Sequence, residues 1–328
     1  MLYSIHALRF LAASAVVMHH AELFPGFGLG QAGVDLFFVI SGVVIGTSGP
    51  GMAPSAFLLR RFVRIFPLYW AATAAMLAWR QYNGAPTPLS DIIHSLLLVP
   101  PNLSSASGWA PIYIPAWTLS FELMFYVTFA ACLTLTLRPR LVSAIVLVAG
   151  AFALWDPTST NYVRYGAILM LEFIAGLAIA VALSRNLVPS RPLGAGLIVL
   201  SLIGFGLSTT AHTAHREVIW GVPATLMVYG ILAFEPARLF SHPFVVLGGS
   251  ASYAIYLFHV HFIFLFRASF GGVTAANRPL FALFEIAGSV IVGMAVYKLL
   301  DKPMLGFMHR KLAAAWLPRG KGAITLGS

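Results

Sequence analysis

Ten apolar runs follow one another along the 328-residue chain, and most are long enough to cross a bilayer. A hydrocarbon core of about 30 Å requires about 20 apolar residues in a helix. The chain is 59% hydrophobic and 9% charged, whereas a soluble domain carries roughly 25% charged residues. We therefore predict an all-α, polytopic integral membrane protein with about ten transmembrane helices, at residues 5–24, 31–48, 62–80, 113–136, 140–155, 165–184, 193–210, 217–234, 248–266 and 280–300.

The lysine and arginine residues between these runs predict the orientation. With the N-terminus in the cytoplasm, fourteen lie in inner loops and the tail, and five lie outside. Cytoplasmic loops carry an excess of basic residues, so we expect both termini to be cytoplasmic. The net charge of +10 is explained by this distribution, and nucleic acid is not an expected partner. The polar segment 81–112 is the longest predicted loop, and DIIHSLLLV within it is at most a short interfacial or re-entrant piece.

Nine ionisable residues fall inside the predicted spans. Such groups usually face a bundle interior or an aqueous cavity and mark a functional site, although some only pair helices together. The pairing role is the favoured interpretation for Glu172 and Glu285. The set as a whole predicts a polar cavity inside the bundle; it comprises Arg9, His19, His20, Asp35, Glu122, Glu172, His259, His261 and Glu285.

The first span carries Arg9 and His20 eleven residues apart. Eleven residues are close to three helical turns, so the two side chains share one face about 16 Å apart along the axis, and His19 points roughly 100° away. Asp35 begins the next span at a similar depth. Across the short connection its carboxylate could accept the second imidazole N–H of His20 and fix the tautomer. Glu122 reaches mid-membrane in a later span.

Arg60, Arg61 and Arg64 open the third span in RRFVRIFPLYW. They are either a topological signal or a phosphate clamp, since guanidinium groups suit phosphate oxygens. The sequence has no GxSxG, GxxxxGK[ST] or HExxH motif, and its one cysteine, Cys132, excludes a cysteine-based metal cluster. The available chemistry is therefore that of histidine, carboxylate and arginine, without a metal.

Five segments in the same order resemble the acyltransferase-3 family of membrane acyltransferases, especially its exopolysaccharide O-acetyltransferase branch. They are SIHALRFLAASAVVMHHA, QAGVDLFFVISGVVIG, RRFVRIFPLYW, PAWTLSFELMFYVTFA and GGSASYAIYLFHV. The arginine and histidine that the family separates by ten residues correspond to Arg9 and His20. The family's arginine pair corresponds to Arg61 and Arg64, with Arg60 as an extra.

The resemblance also covers the W-x-L-x-x-E segment, which corresponds to Trp117 and Glu122. The Glu-Arg-Pro sequence that usually follows the last helix is Asp301-Lys302-Pro303 here. The family match implies a transmembrane domain over residues 1–305, with a short basic cytoplasmic tail over 306–328. It also implies a multi-pass protein of a bacterial-type inner membrane.

The resemblance implies transfer of an acyl group, most simply acetyl, from acyl-CoA to a hydroxyl of a cell-surface or exopolysaccharide sugar. A glycan or lipid-linked sugar would be the acceptor, and the lipid bilayer the surrounding partner. We assign candidate catalytic roles to His20 as general base, Glu122 and Asp35. The expected donor-binding residues are Arg9, Arg60, Arg61 and Arg64, and the expected substrate-binding residues are Trp117, Tyr253 and His259.

Two other interpretations fit a bundle with buried charges. One is a proton-coupled transporter of a small solute or glycan intermediate. Transporters usually contain inverted repeats and broken helices, and no internal repeat is found in this sequence. The other is a non-catalytic subunit of a polysaccharide assembly complex, in which His20 would be dispensable. Consumption of acetyl-CoA distinguishes the enzyme from both.

Overall fold

The structure is a computed structural model that describes residues 2–23, 28–99, 111–134, 161–207, 217–235, 237–271, 274 and 277–316. Within these residues every regular element is helical, which confirms the predicted all-α class. The α-helices are α1 (Tyr3–His20), α2 (Ala32–Ser48), α3 (Pro54–Tyr82), α4 (Leu89–Leu96), α5 (Trp117–Thr134), α6 (Asn161–Ser184), α7 (Arg191–Leu207), α8 (Val222–Ile231), α9 (Pro243–Phe270), α10 (Arg278–Val296) and α11 (Lys302–Trp316).

Four helical segments are long and apolar enough to cross a membrane: Pro54–Tyr82, Ile114–Leu133, Pro243–Phe270 and Arg278–Lys311. The last of these joins α10 to α11 through a π-helical turn at Tyr297–Asp301. Shorter apolar helices occupy Ala32–Ser48, Leu169–Ser184, Arg191–Leu207 and Val218–Phe234. The predicted run at 140–155 lies outside the described residues, and the full set of ten spans stays a prediction.

Helix α3 begins earlier than the apolar run at 62–80 indicated. Pro54 occupies its first turn, where the missing proline N–H has no helical partner to lose. The predicted arginine cluster therefore lies within a regular helix rather than before one. In the predicted loop 81–112, the short piece is α4, which the side chains of Tyr69 and Trp70 hold by donating to the carbonyls of Ser95 and Leu96.

Helix α1 lies between α2 and α9, and glycines allow a close approach on both sides. A Cβ on Gly33 of α2 would overlap the carbonyl oxygen of Ala12, and a Cβ on Gly249 of α9 would overlap the backbone of His6. Small residues of this kind let membrane helices pack backbone to backbone. As a result, α1 packs closely against both α2 and α9, and Arg9 and His20 contact Ser252 and His259 of α9.

Charged side chains hold both ends of α1. The carboxylate of Glu235 accepts a hydrogen bond from the Ser4 N–H at 2.5 Å. At the other end, Arg267 donates to the His20 carbonyl at 3.2 Å and Arg278 donates to the Ala21 carbonyl at 3.0 Å. An anion at the N-terminus and cations at the C-terminus both match the helix dipole. The helix that carries the two residues of interest is thus fixed in position along its axis.

Candidate active site

Helices α1, α2, α3, α5 and α9 surround a cavity, the arginine cavity, whose charged and aromatic lining includes Arg9, Arg61, Arg64, Glu122, Tyr126 and Tyr253. Five of these six are candidate site residues from four separate segments of the sequence. Of the nine ionisable residues that predicted a polar cavity, Arg9 and Glu122 line this one and the other seven do not. Three guanidinium groups and one carboxylate give its wall an excess of positive charge.

Arg64 is the arginine of this cavity that has a carboxylate partner. Its Nη1 donates to Oδ2 of Asp301 at 2.9 Å, and the Asp301 side chain is fully buried. The Arg64 guanidinium also lies 5.2 Å from the centre of the Tyr253 ring, within cation–π distance. The Tyr253 hydroxyl donates to the Ile65 carbonyl at 2.8 Å, which fixes that ring in place. Arg64 is therefore held from two sides.

Arg61 and Arg9 have no ion pair among the described residues. Arg61 makes a long contact of 3.4 Å from Nη2 to Ser48 Oγ and lies 5.5 Å from the Phe57 ring. Its buried Nε has no hydrogen-bond partner within the same residues. Arg9 donates from Nε to Ser252 Oγ at 3.1 Å. Membrane-insertion scales assign a cost of several kcal/mol to a charged side chain inside a bilayer. These two unpaired guanidinium groups are therefore suited to an anionic ligand.

Glu122 of α5 is held by two hydroxyl groups. Ser41 of α2 donates to its Oε1 at 3.2 Å, and Tyr126, one turn along α5, donates to the same oxygen. The Tyr126 ring also lies 5.7 Å from the Arg61 guanidinium. The carboxylate is therefore oriented within the arginine cavity, and Tyr126 contacts both Glu122 and Arg61.

His20 pairs with His259 of α9, and neither residue lines the arginine cavity. Nδ1 of His20 lies 2.9 Å from the Val16 carbonyl oxygen and 3.3 Å from Nε2 of His259. The other nitrogen of His259, Nδ1, lies 2.7 Å from the carbonyl oxygen of Tyr256, and the Tyr256 side chain lines the cavity. The histidine pair and the cavity thus meet at a single residue of α9.

The expected contact between Asp35 and His20 is not formed. Asp35 is fully buried in the first turn of α2, and the partners of the His20 ring within the described residues are Val16 and His259. The physical reason is the phase of α1, because its His20 face meets α9. The adjacent His19 turns toward α2, where its Nε2 lies 3.2 Å from the amide nitrogen of Gln31.

Two other candidates lie outside the cavity lining. Arg60 is exposed on the outer side of α3, one residue from the cavity-facing Arg61. Trp117 packs edge-on against Phe121, with ring centres 6.0 Å apart, while its neighbour Thr118 lines the cavity. Arg60 was expected to bind the donor with Arg61 and Arg64, but its exposed side chain lies apart from theirs.

Several residues at the site carry no signal of their own in the sequence. Tyr126 is an aromatic residue within an apolar helix, and only its spacing of four from Glu122 suggests a contact. Ser252 lies in a small-residue segment of α9 that reads as helix packing. Asp301 had a clearer signal, because Asp-Lys-Pro has the same order of acidic, basic and proline residues as the family's Glu-Arg-Pro sequence. Its partner could not be read, since it lies 237 residues away in the chain.

Comparison with known proteins identifies the family. The profile of the acyltransferase-3 family, described as an acyltransferase domain, matches residues 2–298. The chain belongs to the acyltransferase-3 family. It is 33% identical over 293 residues to the exopolysaccharide production protein ExoZ of Rhizobium meliloti, covering 85% of this chain and 90% of that relative. The resemblance predicted from the five segments is confirmed.

Two other relatives of this acyltransferase-3 protein are less similar to it than ExoZ is. It is 28% identical to the putative membrane-bound transacylase BcsY of Komagataeibacter xylinus, over 98% of this chain and 87% of the relative. It is 25% identical to the peptidoglycan O-acetyltransferase OatA of Listeria monocytogenes, over 92% of this chain and 55% of that longer protein. No solved structure matches the chain. Family membership and the apolar helices together make this protein a membrane acyltransferase.

Proposed function

We propose that this acyltransferase moves an acyl group, most simply acetyl, from acyl-CoA to a hydroxyl of a cell-surface or exopolysaccharide sugar. The names of ExoZ and OatA, which refer to exopolysaccharide production and peptidoglycan O-acetylation, support this acceptor class. The proposal places the protein in a bacterial-type inner membrane as a multi-pass protein with both termini in the cytoplasm. The acceptor is a glycan or a lipid-linked sugar.

The observation that supports the donor assignment is a pair of guanidinium groups in the arginine cavity that have no ion pair among the described residues. Arg9 and Arg61 face the same space as Arg64, whose charge Asp301 already balances. CoA brings phosphate groups, and arginine binds phosphate through charge-assisted hydrogen bonds that are roughly twice as strong as neutral ones. Phosphates of acyl-CoA would therefore pair with the guanidinium groups of Arg9 and Arg61.

His20 takes the hydroxyl proton in the proposed reaction. Arg9 and His20 are separated by about 16 Å along α1, so an extended pantetheine arm held at the arginines would bring its thioester toward the histidine. General base catalysis by a positioned imidazole contributes about 10²–10⁴-fold in rate. Glu122 would orient an acceptor hydroxyl or assist proton movement, supported by its fixed position in the same cavity.

The test is acetyl transfer by the purified protein in lipid nanodiscs, with radiolabelled acetyl-CoA and polysaccharide from the host. We expect His20→Asn to abolish transfer while CoA still binds. Arg61→Gln should raise the donor KM about tenfold or more, equivalent to ~1.4 kcal/mol, with little change in kcat. Arg60→Gln is the matched control, because the neighbouring exposed arginine of α3 lies outside the cavity.

Each outcome separates the proposal from its rivals. Equal effects of Arg60→Gln and Arg61→Gln would show a general surface-charge effect and contradict the donor site. Transfer that survives His20→Asn would contradict the base. A transporter would not consume acetyl-CoA in nanodiscs, and a non-catalytic subunit would show no transfer by itself. In cells, NMR of the surface polysaccharide should show loss of one O-acyl group when His20 is replaced.

A further inference from the structure

The hydrogen bonds of the histidine pair determine where its protons lie. A carbonyl oxygen can only accept, so the 2.7 Å contact between Tyr256 O and His259 Nδ1 requires a proton on that nitrogen. A neutral imidazole has one N–H, which leaves Nε2 of His259 with a free lone pair. That lone pair faces Nδ1 of His20 at 3.3 Å.

The same reasoning applies to His20. Its Nδ1 is 2.9 Å from the Val16 carbonyl oxygen, which also can only accept. A single proton on Nδ1 satisfies both the Val16 carbonyl and the His259 lone pair. Nε2 of neutral His20 is then the unprotonated nitrogen, and it has no hydrogen-bond partner among the described residues.

We infer that His259 is a positioning residue that holds His20 in the Nδ1–H tautomer, so that His20 Nε2 is the nitrogen that accepts the hydroxyl proton. This role rests on the proposed acyl transfer. His259 fixes the tautomer of His20, which is the role that was expected of the Asp35 carboxylate. The His259 side chain is fully buried, whereas His20 is partly exposed, so His259 acts through His20 and not by touching the substrate. Its own anchor is the backbone of the residue that does line the cavity, Tyr256.

The reaction balances with this assignment. The acceptor O–H bond breaks, its proton goes to His20 Nε2, and the oxygen forms a bond to the thioester carbonyl carbon. The C–S bond then breaks, and the leaving sulfur takes the proton back from Nε2. The products are an O-acyl sugar and free CoA thiol, and His20 returns to the Nδ1–H tautomer without a net proton change.

The direct test is nitrogen NMR of ¹⁵N-histidine-labelled protein in nanodiscs, since a protonated and a bare imidazole nitrogen differ in chemical shift. The His20 signals are those missing from His20→Gln. We expect Nδ1 protonated and Nε2 bare. In His259→Leu, which removes the acceptor, the Nδ1–H population of His20 should fall. The value of kcat should decrease about 10- to 100-fold, the loss typical of residues that orient a metal-bound histidine, with both KM values within about twofold.

Two further variants separate positioning from folding. His259→Gln offers an amide oxygen that can accept from His20 Nδ1–H, and we expect it to recover most of the kcat lost in His259→Leu. His261→Gln is the matched control, because His261 lies on the same helix but its Nε2 contacts the Ala72 carbonyl at 2.9 Å. It should leave the His20 signals and kcat unchanged.

The inference is overturned if wild-type His20 carries its proton on Nε2, or if His259→Leu keeps the wild-type kcat. It is also overturned if His259→Gln and His259→Leu lose kcat equally while both still bind CoA. Absence of acyl transfer by the wild-type protein would instead overturn the proposed function. The tautomer measurement needs no acyl transfer, so the two failures can be told apart.

Discussion

Arg64 and Arg61 lie one turn apart on α3 but differ in how their charges are balanced. Arg64 is paired with the buried Asp301, whereas Arg61 has aromatic rings and one serine around it. A charge that is already paired gains less from a bound phosphate than a charge that is not. Arg61 and Arg9 should therefore contribute most to donor affinity, and Arg64 should mainly keep Asp301 from repelling the donor.

This difference makes a prediction for Arg64→Gln. The change leaves the Asp301 carboxylate buried without a cation, which typically costs about 3–5 kcal/mol of stability, and it places an uncompensated negative charge near the donor phosphates. We expect a lower unfolding temperature and a donor KM raised more than about tenfold, ~1.4 kcal/mol. Arg64→Gln with Asp301→Asn removes both charges and should recover most of both losses. A double variant as impaired as the single one would contradict the pairing argument.

Tyr126 connects the carboxylate of Glu122 to the ring environment of Arg61, and two substitutions separate these roles. Tyr126→Phe removes the hydroxyl that donates to Glu122 but keeps the ring near Arg61. We expect a lower kcat with donor KM nearly unchanged, because only the orientation of Glu122 is lost. Tyr126→Leu also removes the cation–π contact, worth about 0.5–2 kcal/mol, and should raise the donor KM as well. Equal donor KM values in the two variants would refute the role of the ring.

Helix α1 shows how far the sequence could be read at the level of elements. Eleven-residue spacing placed Arg9 and His20 on one face, and the structure confirms that both meet α9, at Ser252 and His259. Helical periodicity decides this because it is local. Which neighbour covers that face depends on glycine contacts between distant segments, and these carry no periodic signal. The prediction that His20 contacts Asp35 was wrong for that reason.

The C-terminal end of α1 depends on Arg267 in particular. Arg267 binds both carboxylate oxygens of Glu285, at 2.6 and 3.0 Å, and also donates to the His20 carbonyl. The favoured interpretation of Glu285 as a helix-pairing residue agrees with this contact. The side chain of Glu285 is fully buried, so its charge depends on the arginine. One residue therefore joins α9, α10 and the end of α1 that carries His20.

We accordingly expect Arg267→Gln to affect both stability and catalysis. Leaving Glu285 buried and unpaired should cost about 3–5 kcal/mol of unfolding free energy. Loss of the bond to the His20 carbonyl should speed hydrogen exchange in the last turn of α1 and lower kcat. Thermal unfolding, exchange measured by mass spectrometry and transfer kinetics report these effects. Arg185→Gln removes an equally basic but exposed side chain and serves as control. An unchanged exchange rate in α1 would contradict the proposed clamp.

At the scale of the whole molecule, charged contacts collect at two opposite ends of the bundle. Arg61 and Arg64 meet the C-terminal end of α2 and the end of the π-helical turn after α10, whereas Arg267 and Arg278 meet the end of α1. This agrees with the alternation of helix direction on which the count of basic residues was based. The contacts define two ends, and the excess of basic residues indicates which of them faces the cytoplasm.

Helix α3 allows that orientation to be measured at both ends of one element. Its 29 residues correspond to about 44 Å, longer than the ~30 Å hydrocarbon core, so both ends should emerge from the bilayer. Ser55 and Asn83 are exposed at these ends, and the native Cys132 is buried and can be replaced by alanine. In intact cells, a membrane-impermeant maleimide should label Asn83→Cys and should label Ser55→Cys only after permeabilisation. Donor entry from the cytoplasm at Arg61 requires this result, and the reverse labelling would contradict both the topology and the donor path.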